Sequence, residues 1–224
     1  MIAKRPAQRV RSGVLTDVEP PAMKLYSKPG ACSLADHIAL RWAGLPFELK
    51  LLDAAAMKAP AYLAINPAGA VPALQIDDWV LTQNSAILNY IADLAPDAHL
   101  AGDGSPRSRA EVQRWLAFLN ADLHPAFHPL FGSTRYLDDA AVIARTQEHA
   151  RERVRTLYAR VEASLEQQTW LGGARRSIAD AYLFVTLRWA RAQQIALGPN
   201  LQLHFERMSA DPQVQAALQA EGLS

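Results

Sequence analysis

The stretch MKLYSKPGACSLADHIALRWAGLPFELKL, residues 23–51, decides the fold of the first folded part of the chain. Its first five residues have the composition of a short strand, which Pro29 interrupts. Apolar residues then recur at helical spacing as far as Gly44, a residue that commonly ends a helix. Residues 47–51 alternate apolar and charged side chains, which is typical of a strand. This order predicts two parallel strands joined by a right-handed crossover through the helix.

The elements that follow complete a small α/β domain over residues 23–95. Residues 59–64 can form only a short helix, and two strands follow it at residues 73–76 and 79–82. Pro72 stands at the start of the first of these strands, where a missing backbone N–H is tolerated. A tight turn separates the two strands, which should therefore be antiparallel, and a final helix follows them. The predicted order is β-α-β-α-β-β-α, with a mixed sheet.

The rest of the chain has a helical pattern. Residues 96–106 contain a Gly-Asp-Gly-Ser run and predict a linker, and residues 107–224 predict an all-helical domain of four or five helices. Ser177 and Asp180 have the spacing of a capping box at the start of a mostly apolar central helix. The fold class is thus an α/β domain followed by an all-α domain.

Composition excludes several classes of function. The chain has 224 residues, a formal net charge of +1 and 50% hydrophobic residues, so it offers no overall electrostatic reason to bind nucleic acid or an anionic membrane. Its apolar runs are far shorter than the roughly 20 residues that span a bilayer. The single cysteine, Cys32, excludes an intrachain disulfide and a cysteine-based zinc cluster. Such cysteine usage suits a reducing compartment, and we expect a cytoplasmic protein.

Residues 1–22 differ from the remainder in charge. They carry four basic and two acidic residues and lack the apolar segment of a secretory signal. We interpret them as a disordered extension or an over-long start ahead of Met23. A functional basic arm is the alternative.

Cys32 is a candidate catalytic residue. It lies in a Gly-Ala-Cys-Ser loop at the mouth of the first helix, and Ser33 with Asp36 matches a capping box there. Backbone N–H groups and the positive end of the helix dipole lower the pKa of a thiol in such a position. No second cysteine forms a C-x-x-C pair, so a reactive Cys32 needs an outside thiol. The alternative is a small buried apolar residue.

His124 is the second candidate. Its spacing from His128 would suit two ligands of one metal ion, but no third ligand can be named, and we predict no metal site. On an ideal helix His124 shares a face with Ala117 and Ala121. A small-residue face of this kind can line a cleft or admit a closely packed helix.

Seven motifs in order show a resemblance to a known family. The chain from Met23 onward resembles the cytosolic glutathione transferases, and its motifs are close to those of the bacterial beta class. The motifs are Lys28-Pro29-Gly30-Ala31-Cys32-Ser33-Leu34, Asn66-Pro67-Ala68-Gly69-Ala70-Val71-Pro72-Ala73-Leu74, Leu81-Thr82-Gln83, Trp115-Leu116, Leu123-His124, Ser177-Ile178-Ala179-Asp180-Ala181-Tyr182-Leu183-Phe184 and Ala220-Glu221-Gly222-Leu223.

The resemblance implies a thioredoxin-like first domain that binds glutathione as co-substrate. Val71–Pro72 would be a cis peptide whose backbone pairs with the cysteine of glutathione, and Cys32 and His124 would approach its sulfur as catalytic residues. Gln83 and the start of the next helix would hold the γ-glutamyl end. The implied substrate-binding residues are Ala70, Val71, Pro72, Gln83, Asn84, Ser85 and Lys58.

The implied activity is conjugation of the glutathione thiol to small hydrophobic electrophiles, with thiol–disulfide exchange through Cys32 as a second activity. A homodimer is also implied. Some positions depart from the family pattern: Ser27 replaces a tyrosine, Gln83 an acidic residue, and Pro125 a lysine. The strand period predicts that Tyr26 faces the opposite side of the sheet and cannot replace the missing tyrosine. A non-catalytic protein of the same fold that binds glutathione or apolar ligands is therefore the alternative.

Overall fold

A computed structural model describes residues 22–223 of the protein. Four strands form one mixed sheet in the order β2-β1-β3-β4. The first two strands are parallel and β3 is antiparallel to β4, as predicted. The third strand is also antiparallel to β1. The strands are β1 Met23–Ser27, β2 Glu48–Leu51, β3 Ala73–Ile76 and β4 Trp79–Thr82. The extension predicted for residues 1–22 falls, except for Ala22, outside the described residues.

Three helices complete the first domain. Leu34 and Ile38 of the first, and Ile87 and Ile91 of the third, are fully buried against the sheet and the second domain. These helices are α1 Ser33–Ala43, α2 Pro60–Leu63 and α3 Asn84–Leu94, and short 3₁₀ turns lie at Ala56–Lys58 and Pro96–Ala98. The element order is the predicted one, and it is thioredoxin-like.

The capping box predicted at the start of α1 is wrong. Cys32, the residue before the helix, already has helical dihedral angles, so Ser33 lies inside the first turn. The Ser33 hydroxyl is hydrogen-bonded to the Ser27 hydroxyl at 2.8 Å and accepts from the Lys28 N–H at 3.3 Å. Asp36 is fully buried and faces α3 instead of the helix start. Ser33 and Asp36 therefore form hydrogen bonds with residues outside α1, in place of the local hydrogen bonds of a capping box.

The second domain is helical, as predicted. Every residue from Ile178 to Leu187 is buried, as expected of a helix that neighbours cover on all sides. The predicted capping box of Ser177 and Asp180 opens this central helix. The helices are α4 Pro106–Phe118, α5 His124–Ala126, α6 Ala140–Gln167, α7 Ile178–Ala192, α8 Pro199–Ser209 and α9 Pro212–Ala220, with 3₁₀ turns at His128–Phe131 and Arg135–Leu137.

A π-helical turn, Leu119–Leu123, separates α4 from α5. Such a turn holds more residues than an α-helical turn, so it changes which side chains face a given direction.

Side-chain hydrogen bonds join the two domains, and one of them holds the first-domain loop at residues 28–32. Trp189 of α7 donates its indole N–H to the Gly30 carbonyl at 2.8 Å, and Trp42 of α1 donates to Asp211 Oδ1 at 3.2 Å. The chain then returns to the first domain through Glu221, which is buried. As a result the loop that carries Cys32 faces the helical domain. Among the helices of residues 22–223, none is long and apolar enough to cross a membrane.

Candidate functional site

A cleft of about 250 Å³ lies between the two domains. It brings together most of the site residues predicted from the sequence. From the first domain these are Cys32, Ala70, Val71, Pro72, Gln83 and Asn84, and from the second His124. Asn66, Ala68, Thr82, Asn120, Pro125 and His128 complete the lining.

The loop before β3 forms one wall of the cleft. The Val71–Pro72 peptide is cis, as the resemblance implied. The Ala70 carbonyl accepts hydrogen bonds from the Tyr62 hydroxyl at 2.6 Å and from the Asn66 side-chain amide at 2.8 Å. These two bonds fix the backbone directly before Val71.

Two of the predicted binding residues lie outside the cleft. The Lys58 ammonium donates to the Gly69 carbonyl at 3.0 Å and so supports the loop from behind. Gly69 has a φ of +57°, and a Cβ there would lie only 2.9 Å from Lys58 Nζ, so the turn requires glycine. Ser85 is in the first turn of α3, where its carbonyl accepts from the Asn89 side chain at 2.8 Å.

The start of α3 forms the floor of the cleft. Gln83 precedes the helix with a φ of +76° and presents an exposed side chain beside free N–H groups of the first turn. Asn84 is buried, and its amide nitrogen is assigned toward two acceptors, because an amide oxygen there would face two other oxygens. The nitrogen donates to the Cys32 carbonyl at 3.0 Å and to Asp36 Oδ2 at 2.7 Å.

The Cys32 thiol is protonated at neutral pH. Burial raises its pKa to about 12, and the nearby Asp36 carboxyl adds to the increase. The N–H groups of Ser33 and Cys32 act in the opposite direction, as predicted, but their effect is smaller. The thiol donates a hydrogen bond to the Val71 carbonyl, with an S···O distance of 3.7 Å. The prediction of an ionised thiol at this helix start is therefore wrong, because the side chain is only 9% exposed.

Replacing Asp36 with asparagine should lower the pKa of the Cys32 thiol and speed its alkylation. The substitution removes a carboxyl group that raises the pKa of the thiol, while burial, the larger cause, remains. We expect iodoacetamide to react several-fold faster with Asp36→Asn near pH 9, and thiolate absorbance at 240 nm to appear at lower pH. Asp53→Asn is the control, because Asp53 is exposed and does not line the cleft. Unchanged reactivity in Asp36→Asn would show that burial alone sets the pKa.

His124 packs among aromatic side chains of the second domain. Its Nδ1 lies 2.6 Å from the Tyr182 hydroxyl, and its ring packs against Trp189 and His128 at centroid distances of 4.8 and 5.3 Å. Burial lowers the pKa of His124 to about 4, with a smaller contribution from His128. The imidazole is therefore neutral near pH 7 and can accept a proton. Within residues 22–223 no group of three or more His, Cys, Asp or Glu side chains is arranged to hold a metal ion.

Asn120 is a lining residue that the sequence analysis missed. Ideal helical spacing placed Ala117 and Ala121 beside His124, but neither alanine lines the cleft. Asn120 lies in the π-helical turn and faces the cleft together with His124 and His128. A stripe at every fourth residue, 120, 124 and 128, is the signal that could have identified it.

Ser27 stands at the position of the family tyrosine and is fully buried. Its hydroxyl binds the Glu221 carboxyl and does not line the cleft. Tyr26 lies in a small separate cluster with Tyr62 and donates its hydroxyl to Gln75 Oε1 at 3.0 Å. The prediction that Tyr26 faces away from the site is confirmed.

Comparison with known proteins assigns this architecture to a family. Residues 21–93 match the family model described as "Glutathione S-transferase, N-terminal domain", and residues 110–212 match "Glutathione S-transferase, C-terminal domain". The chain is 63% identical over 204 residues to glutathione S-transferase GST-4.5 of Xanthomonas campestris, covering 90% of this chain and 100% of the relative. The protein belongs to the glutathione S-transferase family.

Solved structures agree with this assignment. A glutathione S-transferase from Xylella fastidiosa superposes with a TM-score of 0.88 at 60% identity, covering 90% of this chain and 100% of the other. A sphingomonad glutathione S-transferase complexed with glutathione superposes with a TM-score of 0.78 at 38% identity, covering 90% and 100%.

Proposed function

We propose that this protein conjugates the thiol of glutathione to small hydrophobic electrophiles in the cleft between its domains. The observation that carries the proposal is the convergence of the cis Val71–Pro72 loop, the start of α3 and His124 on one cleft. The chain's family and the glutathione complex of the sphingomonad relative support glutathione as the co-substrate.

Glutathione binding uses main-chain groups of the first domain. The Val71 N–H and carbonyl pair with the cysteine residue of the tripeptide. The γ-glutamyl carboxylate lies at the start of α3, where unpaired N–H groups favour an anion. Gln83 offers a carbonyl oxygen to the ammonium group. Since Lys58 and Ser85 lie outside the cleft, we assign them supporting roles in its walls.

The reacting sulfur lies between Cys32 and His124. Because the Cys32 thiol is protonated, it acts as a hydrogen-bond donor to the glutathione sulfur and not as the nucleophile. The Val71 carbonyl, which accepts from Cys32, pairs with glutathione when it binds and so releases the thiol for this role. The neutral His124 accepts the proton of the glutathione thiol as its sulfur forms a bond to the electrophile. The leaving group departs with its bonding electrons, and His124 returns the proton to water.

Thiol–disulfide exchange through Cys32 is a second activity of the same site. The Cys32 thiolate would displace a thiolate from a mixed disulfide of glutathione, and a second glutathione thiolate would then release glutathione disulfide and restore Cys32. The high pKa of Cys32 makes this route slow at neutral pH, so we favour conjugation as the main activity.

Replacing Cys32 separates the two activities. Cys32→Ala should abolish exchange. It should lower kcat/KM for conjugation by less than about tenfold, which corresponds to the loss of one hydrogen bond. Cys32→Ser, which keeps a donor of similar size, should restore conjugation but not exchange. Both are measured with an aromatic halide and with a glutathione mixed disulfide. Equal loss of both activities in Cys32→Ala would contradict these roles.

A non-catalytic binding protein of the same fold is the second candidate, favoured by Pro125 in the cleft where the family often has a lysine. Calorimetric titration with glutathione, followed by a conjugation assay, distinguishes the two: binding without turnover of any electrophile would support this candidate. We also propose a homodimer and a cytoplasmic location, which the family resemblance supports. Sedimentation equilibrium tests the dimer.

A further inference from the structure

Two polar side chains of the helical wall of the cleft take no part in the reaction described above. Asn120 lies in the π-helical turn and His128 begins the following 3₁₀ turn, so that they precede and follow His124 along the chain. Both line the cleft, where Asn120 is partly buried and His128 is exposed. Within residues 22–223, neither side chain forms a hydrogen bond with another residue.

The other amide groups of the cleft are differently placed. The Asn66 side chain donates to a backbone carbonyl at 2.8 Å and accepts from a backbone N–H at 3.1 Å. The Asn84 nitrogen donates to two first-domain oxygens. Gln83 lies at the start of α3, where we place the γ-glutamyl end of glutathione. On the second-domain wall, Asn120 and His128 are therefore the donors that remain for a second substrate.

His128 lies next to the group that we assign to proton transfer. Its ring centroid is 5.3 Å from that of His124, and the two rings meet edge to face. Since His124 takes the thiol proton as the sulfur bonds to the electrophile, the electrophile must lie beside the same wall. The whole cleft encloses only about 250 Å³, so an atom a few bonds from the reacting carbon is within reach of His128 and Asn120.

We propose that Asn120 and His128 are specificity-determining residues that bind an oxygen acceptor of the electrophile, such as a nitro or carbonyl oxygen. This inference rests on the proposed function and deepens it, because it names the class of electrophile. An amide has two N–H donors, and a neutral imidazole has one in either tautomer. The favoured substrates are therefore nitroaryl halides and α,β-unsaturated carbonyl compounds.

Negative charge develops on this oxygen during the reaction. As the glutathione sulfur bonds to carbon, an electron pair of the π system moves onto the oxygen, where N–H donors stabilise it. With a nitroaryl halide, the pair then returns and expels halide. With an unsaturated carbonyl compound, the α-carbon instead takes a proton from the protonated His124. Because the charge is absent from the free substrate, these donors stabilise the transition state more than the ground state.

The test compares two electrophiles that undergo the same attack by sulfur. Chlorodinitrobenzene carries nitro oxygens near the reacting carbon, whereas benzyl chloride contains no oxygen. His128→Phe removes the N–H and keeps a ring, so we expect the ratio of kcat/KM for chlorodinitrobenzene to that for benzyl chloride to fall by about tenfold or more. Asn120→Leu should lower the same ratio. The ratio is used because His128 also lowers the pKa of His124, an effect that both substrates share.

Two further variants separate this role from a structural one. His128→Gln keeps an N–H donor and should restore most of the wild-type ratio. His149→Phe makes the same change as His128→Phe at an exposed position of α6 and should leave the ratio unchanged. An unchanged ratio in His128→Phe would overturn the inference, because equal losses for both electrophiles would place His128 against glutathione or in the support of His124.

Binding of the conjugates provides a readout that needs no turnover. Calorimetry compares S-dinitrophenyl-glutathione, which bears nitro oxygens, with S-benzyl-glutathione, which lacks them. We expect His128→Phe to weaken binding of the first by about fivefold relative to the second. If the wild-type protein shows this preference but turns over no electrophile, the proposed function fails and the inference stands. If the protein conjugates both electrophiles and His128→Phe changes neither ratio, only the inference fails.

Discussion

His124→Asn should lower kcat/KM for glutathione conjugation by about 10²–10³-fold, within the range typical of a lost general base. Asparagine can still donate to the Tyr182 hydroxyl and roughly fills the same space, but its amide cannot take up a proton. Because glutathione is bound mainly by first-domain groups, its KM should change by less than about threefold. Steady-state kinetics with an aromatic halide measure both constants.

His149→Asn is the control for this experiment, because His149 is an exposed residue of α6 and does not line the cleft. It should leave kcat/KM unchanged. The effect of His124→Asn should also persist from about pH 6 to pH 8, because burial holds the pKa of His124 near 4 and the wild-type imidazole stays neutral throughout. A loss below about threefold would mean that His124 takes no part in proton transfer.

Glu221→Ala should reduce the free energy of unfolding by about 3 kcal/mol or more, since it leaves buried donors without an acceptor. The Glu221 carboxyl accepts from the Ser27 hydroxyl at 3.0 Å, the Gly30 N–H at 3.1 Å and His37 Nδ1 at 3.1 Å. Arg41 donates to the other nitrogen of His37 at 3.0 Å, so that nitrogen is an acceptor and Nδ1 carries the proton. Urea unfolding measures the loss, and a fall in Tm of about 6–12 °C should accompany it.

Glu148→Ala is the matched control for Glu221→Ala. Glu148 is an exposed glutamate of α6 that forms ion pairs with Arg151 and Arg155, and such surface pairs contribute about 0–1 kcal/mol. Glu221→Gln keeps one acceptor oxygen, so its loss of unfolding free energy should lie between those of the two alanine variants. Equal losses in Glu148→Ala and Glu221→Ala would show that the buried carboxyl contributes no more than a surface charge.

The C-terminal glutamate also connects stability to the site. Gly30, which it binds, lies two residues before Cys32, and its carbonyl accepts from Trp189. The loop that carries the thiol is therefore held by two groups of the second domain. Loss of Glu221 should consequently loosen the cleft as well as the domain interface.

Local features of the fold could be read from the sequence. Alternating and helical spacings gave the order of strands and helices in the first domain, and the Ser177–Asp180 spacing gave the start of α7. These features depend on residues within about four positions of each other, so a single sequence contains them. The family motifs added the cis Val71–Pro72 peptide.

Only the tertiary structure decided the chemistry of the site. The helix start at Cys32 predicts an acidic thiol, but the pKa of the thiol depends on its burial and on Asp36, both of which long-range packing sets. The partner of Ser27 is Glu221, 194 residues further along the chain. Desolvation and distant hydrogen bonds arise from the assembled core, because residues far apart in sequence remove water from a group only once the chain has folded.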